Sequence, residues 1–364
     1  MEDKVFLKLF LVLIISLFFP GITYGGEILF HEYIGEQAVI YRVSPDGTGL
    51  REIGHGMFPK WSPDRKFISY VESAPIYSQE LSTTGMGQLI VASPEGIEIF
   101  RVKEVWKTGN IIRYCWNPKG NHISFATIRE RHYGAVSVYD IKTERMKTLH
   151  KFVCKDLDEA FIATTLEWSP DGEYLLFSSG SLFSKGQDTV LINPKKGTTK
   201  MLSYMGTLPR FAGKDKVIFL VGSEISIIHK DGSDKRRMLD LKSPVVNSSR
   251  VVNNKIILQF LEKGMPEKAK LYLFDIASIR LQEIKVKNYL LLCPTISPDG
   301  ERFTAIGLKL KNGELVSEEE AEPGYYVLNL NTKEVTLLKR FEPDKNEGFW
   351  FGVYLGYGNH TSWR

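Results

Sequence analysis

A single all-β domain, a propeller of four-stranded sheets closed into a ring, is the fold this 364-residue chain predicts. Three observations predict it. An aromatic or large apolar residue followed by a tight turn and a strand recurs as "WSPDRKFISY" from Trp61, "WNPKGNHISF" from Trp116, "WSPDGEYLLF" from Trp168 and "ISPDGERFTA" from Ile296. Two apolar runs and a short third run follow each copy. The pattern returns about every 48 residues, the period of propeller blades.

The turn comes first. Pro presets φ for a type I turn, Asp accepts hydrogen bonds from nearby backbone N–H groups, and Gly takes the left-handed conformation that closes the turn. Weaker copies at "FAGKDK" (from Phe211) and "VVNNK" (from Val251) lose the Pro but keep turn residues.

The strands follow in order. Residues 28–32, 67–71, 123–127, 175–179, 217–221, 256–260 and 303–307 form the first set. Residues 39–43, 89–93, 136–140, 190–194, 225–229, 271–275 and 326–330 form the second. Each second strand leads through a polar turn to a short outer strand, such as "LREI", "IEIFRV" or "VTLL". Apolar residues run in blocks of about five, which suits strands buried on both faces. Seven units result, with a six-bladed ring as the alternative. An inner strand ending at Trp61, Trp116, Trp168, Phe211, near Val252 and at Ile296 precedes every unit but the first. The expected missing piece is "FWFGVYLG", residues 349–356, which would pair with the N-terminal strands and close the ring. Closure removes the open sheet edges that invite aggregation. The aromatic before each turn is expected to wedge between blades.

Residues 1–25 read as a secretory signal peptide, and residues 26–364 as the propeller. Residues 5–19 are apolar except for Lys8 and Ser16, a core too short to span a bilayer comfortably, with small residues after it. Cleavage is expected near Gly25. An uncleaved membrane anchor is the alternative, and would be the chain's one membrane contact. The protein is thus expected to be periplasmic or extracellular. A net charge of +4 without clustered basic residues argues against a nucleic-acid partner. Three cysteines, Cys115, Cys154 and Cys293, have no metal-site spacing, and Cys115 and Cys293 are expected to be buried.

The "WSPDG-x-x-[IL]-x-F" units and strand pairs such as "IYRVSPDGTGLREI" resemble the WD-like repeats of TolB-type propellers, over about residues 26–340. The resemblance implies a periplasmic or secreted protein that binds protein partners. TolB carries an N-terminal α/β domain and a six-bladed propeller. Here the first strand follows the leader, so the expectation is a propeller alone. Related propellers sit beside the peptidase domain of prolyl oligopeptidases, but the G-x-S-x-G elbow of that domain does not occur here.

Blade topology separates two faces. Short turns such as "SPDG", "SPEG", "NPKKG" and "HKDGS" emerge on one. The longer segments 72–88, 103–110, 150–165 and 308–325 emerge on the other, which is the expected docking face. It offers Tyr77, Trp106, Arg129, His132 and Tyr133, since aromatics and Arg are typical interface contacts. Lys60, Arg113, Arg210 and Arg250 are expected near the start of inner strands, around one channel mouth, where converging cations could hold an anion. Partners are therefore expected among envelope or extracellular proteins, or an anionic small ligand or glycan.

No nucleophile elbow, Gly-rich phosphate loop or H-E-x-x-H pair occurs, so neither a catalytic residue, a metal nor a cofactor is expected. Three functions stay open: a protein-interaction scaffold, a propeller enzyme (lyase or hydrolase) acting on carbohydrate or peptide, and a ligand or glycan sensor at the channel mouth.

Overall fold

The structure, a computed structural model, describes residues 26–363 apart from 35–36, 74–85, 103–109, 130–132, 154–164, 180–187, 204–205, 222, 242, 244, 263–264, 311–321 and 341–360. Residues 1–25, expected as a signal peptide, therefore lie outside the described residues.

Each recurring turn folds as its residues dictate. In the copy at Ser169, the Gly172 N–H donates to the Ser169 carbonyl at 2.8 Å, closing the turn. The Ser169 hydroxyl donates to Asp171 at 2.5 Å and accepts the Tyr174 N–H at 2.9 Å. Asp171 also accepts the Glu173 N–H at 3.0 Å. The copies at Ser62 and Ser297 repeat this relay through Asp64 and Asp299. Ser and Asp thus satisfy backbone donors that the tight turn would strand.

Among the described residues, seven antiparallel sheets of four strands result. The inner strands are Met57–Trp61, Asn110–Trp116, Thr165–Trp168, Thr207–Phe211, Val245–Ser248, Tyr289–Ile296 and Thr361–Trp363. Every predicted first, second and outer strand is present. Several extend into segments expected as loops: Met86–Ala92, Arg145–Val153, Arg302–Lys309 and Glu322–Asn329. Backbone pairing with the neighbouring strand continues through these extensions, as between Tyr133 and Val153 and between Lys309 and Glu322.

The ring closes as expected, but with a different segment. Thr361–Trp363 pairs antiparallel with Ile28–Ile34, placing Ile28 opposite Trp363 and Phe30 opposite Thr361. The predicted closing run, 349–356, lies outside the described residues. Trp363 donates Nε1–H to the Thr295 carbonyl at 3.0 Å, and Thr304 and Thr361 share a hydroxyl bond at 2.6 Å. Three residues suffice because a wedge Trp and two hydroxyls lock them to the seventh blade.

The core lies mainly in seams between neighbouring blades. Trp61 packs with Leu29 and Ile40 of the first blade and Ile68 and Ile90 of the second. Trp116 joins Leu89 and Val91 to Ile123 and Phe125; Trp168 joins Val136 and Val138 to Leu175 and Phe177. Phe211 and Ile296 fill the corresponding seams further round. Side chains of one strand alternate between two seams, as Leu175 and Phe177 against Leu176 show. That alternation is why the sequence shows apolar blocks rather than polar–apolar alternation.

Candidate functional site

Inner strands expose one edge to the central channel, and their sequence there is not apolar. The residue just before each wedge lines a common cavity: Lys60, Cys115, Glu167, Arg210, Thr295 and Ser362. Trp61, Trp116, Trp168 and Trp363 are fixed in their seams, 7–9% exposed. Because successive strand residues point to opposite sides, locking the aromatic aims its neighbour into the channel. Arg113, on the strand Asn110–Trp116, and Arg250, just after Val245–Ser248, join them. The cavity holds about 530 Å³, the size of a small-molecule site.

The four cations were expected at the start of inner strands. Three lie towards or beyond the ends: Lys60 is next to last in Met57–Trp61, Arg210 next to last in Thr207–Phe211, and Arg250 follows Val245–Ser248, while Arg113 sits mid-strand in Asn110–Trp116. The cavity rim is accordingly built by the short turns, from Ser62, Pro63, Arg65, Pro118 and Pro298. The charge gathers on the short-turn side of the channel, opposite the face expected to dock partners.

Its members differ in role. Arg210 braces the wall. Its Nε donates to the Ser249 carbonyl at 3.0 Å, Nη2 to the Ser248 carbonyl at 3.0 Å and Nη1 to Thr165 Oγ1 at 3.0 Å, tying three neighbouring blades together. Lys60 has no ion-pair partner among the described residues; its Nζ stands 5.2 Å from the centre of the Tyr114 ring. Tyr114 is held by hydroxyl bonds to the Phe58 carbonyl at 2.6 Å and the Ser69 carbonyl at 2.8 Å. Burial, with Arg113, Arg210 and Arg250 adding to it against the opposing Cys115, pushes the Lys60 amine down to about 8. Burial and Arg210 bring Arg113 to about 10, so it stays charged at neutral pH. Arg250 faces the channel water, yet the surrounding walls lower its pKa too. Among the described residues Glu167 is the one carboxylate on the lining. Burial raises its pKa, while Arg210, the Phe211 N–H, Arg250 and Lys60 oppose the rise. Burial lifts Cys115 to about 12, which keeps it a thiol.

Among the described residues five cations, with Arg65 the fifth, thus face one carboxylate around this cavity. Sequence reasoning missed two of the six. Glu167 had a visible signal, a charge directly before a wedge Trp. Arg65 also had one. The other turns close on Gly120, Gly172 and Gly300 at φ 72°, 72° and 76°, whereas this turn places Arg65 at φ 63°. A non-Gly residue is costly there.

Of the remaining expected contacts, Tyr77, Trp106 and His132 lie outside the described residues. Arg129 ends the strand His122–Arg129 opposite Tyr133, which is 60% exposed on the long-loop side, remote from the cations. Among the described residues no three His, Cys, Asp or Glu side chains gather as a metal site requires. Cys115, expected to be a buried core residue, is half-buried on the cavity wall, while Cys293 is buried.

Comparison with known proteins identifies the class. TolB from Acinetobacter baumannii superposes with a TM-score of 0.51 at 16% identity, over 93% of this chain and 66% of that one. An oligogalacturonate lyase from Vibrio parahaemolyticus gives 0.58 at 13% identity, covering 88% and 87%. The β-propeller domain of the Trilobed protease from Pyrococcus furiosus gives 0.56 at 12% identity, covering 87% and 95%. A profile for eukaryotic translation initiation factor eIF2A matches residues 61–187, and no curated protein sequence matches. The chain is a WD-like β-propeller of the TolB type in fold. More particularly, it is a seven-bladed one, and at these identities the likeness is one of fold.

Proposed function

We propose that this chain is an exported, non-catalytic binding propeller that takes an anionic group into its channel from the short-turn face. The ligand is a carboxylate or phosphate carried by a small molecule, a glycan or an acidic side chain of a partner. One observation carries the reading: among the described residues, five cations converge on a cavity of about 530 Å³ that holds a single carboxylate. Partly desolvated cations pushed together repel one another, and an entering anion relieves that repulsion. Export is supported by the apolar leader and by the TolB-type fold.

Titration calorimetry at low salt with galacturonate, citrate and inorganic phosphate tests it. Binding should weaken as salt rises. Arg250→Gln should lower affinity by about tenfold, the loss of one charge-assisted contact. Absence of heat with every anion, in protein shown to be folded, would remove the reading.

A second surface is proposed on the opposite face, where the exposed Tyr133 favours docking of an envelope or extracellular protein by the long loops. A propeller enzyme, lyase or hydrolase, remains the alternative function. Glu167, a buried carboxyl among cations, is what favours it, and product formation from an acidic oligosaccharide would establish it.

A further inference from the structure

We infer that Lys60 is a nucleophilic amine, which forms an imine with an anion that also carries an aldehyde or ketone, seated by the neighbouring guanidinium groups. The inference rests on the anion-binding reading and adds a covalent step to it.

Three features point there. Lys60 is fixed in place, because Trp61 beside it is locked in the seam between the first two blades. Second, it makes no ion pair among the described residues, whereas Lys230 and Lys339, also largely buried, lie 3.0 Å from Asp215 and 2.5 Å from Glu32. An acidic partner would hold its proton; Lys60 has an aromatic face instead. Third, half of the groups facing it across the cavity are cationic, and one, Glu167, opposes them. They are Arg113, Cys115 and Tyr114 from the third blade, Glu167 from the fourth, Arg210 from the fifth and Arg250 from the sixth. Desolvation beside like charges is the device by which a lysine becomes neutral, and so nucleophilic, near physiological pH. Its amine titrates at about 8, in keeping with that surrounding.

The chemistry balances without a further reactant. The Nζ lone pair attacks the carbonyl carbon and the C–O π bond opens to a carbinolamine. The oxygen then leaves as water, taking both amine hydrogens, and a C=N bond to Nζ remains. The reverse step releases the ligand by hydrolysis. Guanidinium groups that repel an ammonium in the empty cavity attract the anionic end of the ligand. One arrangement therefore both exposes the amine and delivers the carbonyl.

Pyridoxal 5′-phosphate is a suitable probe, an aldehyde with a phosphate. The full chain is incubated with it between pH 7 and 9, reduced with borohydride and mapped by peptide mass. Lys60 should be labelled about tenfold faster than any other lysine, as expected of a neutral amine beside a seated carbonyl. Pyridoxal, which lacks the phosphate, should label it more slowly, and inorganic phosphate should protect it. Lys60→Arg should abolish the imine absorbance. Labelling spread over surface lysines, with Lys60 no faster, overturns the inference. If phosphate binds yet Lys60 stays unlabelled, the imine falls and the anion site stands. If neither phosphate nor pyridoxal phosphate binds, both fall.

Discussion

Two neighbouring positions on each inner strand have opposite fates. Trp61, Trp116, Trp168 and Phe211 are driven into seams between blades; Lys60, Cys115, Glu167 and Arg210, one residue earlier, are turned into the channel. The first set supplies the apolar contacts that hold one blade to the next. Of the second, only Cys115 packs against a seam, and the others gather charge at a cost in hydration. The period of two along a strand places a structural and a functional layer side by side, with Arg210 the channel residue that also braces the wall.

The sharpest way to break this comparison is to remove a wedge. Trp116→Ala should cost about 3–5 kcal/mol, as for other large-to-small changes in a core. It also strips the Nε1 bond to Ser69 Oγ, which is 2.8 Å long. Urea unfolding measures the loss. A near-neutral result with lost anion binding would reverse the two roles.

Next comes the channel layer. Lys60→Met should stabilise the protein at pH 7, by about 1–2 kcal/mol after allowing for water in the channel. The sign follows from linkage. A lysine lowered to about 8 in the folded state, from an ordinary value of 10.5, leaves the unfolded chain with more bound protons between these values. Wild-type stability should therefore recover as pH rises from about 8 to 10.5, and the variant's advantage should fade over that window. Unfolding curves at pH 7 and pH 10 check both statements.

A smaller effect is expected at the rim. Arg65→Gly should raise stability by up to about 1 kcal/mol, because Gly accepts positive φ. The same change should weaken capture of phosphate, since it removes a rim cation. A stability gain without weaker binding would assign Arg65 to the turn alone.

Smallest of all, Arg250→Gln should leave stability within about 0.5 kcal/mol. Its guanidinium makes no hydrogen bond among the described residues, unlike that of Arg210. Thermal unfolding of the two glutamine variants compares a free cation with a structural one, and Arg210→Gln should be the less stable.

The repeat made most of the fold legible. Ser169, Asp171 and Gly172 define their turn by local hydrogen bonding, and local chemistry is what a sequence displays directly. The site was legible only in part. Lys60, Arg113, Arg210 and Arg250 were recognisable as channel residues, but not the end of the channel they occupy. Glu167 and Arg65 went unread because each departs from a pattern by one residue.

By itself the sequence determined the turns, the wedges and the four-stranded repeat, since each is written within one unit of about 48 residues; that seven units rather than six close the ring was settled by the structure. Only the tertiary structure decided the rest. The closing strand, Thr361–Trp363, is too short to carry a periodic signal, and three residues become a strand only when Ile28–Ile34 and the seventh blade hold them. The site is likewise non-local. Lys60 and Arg250 share a cavity because a closed ring brings their strands together, and no spacing along the chain encodes that meeting.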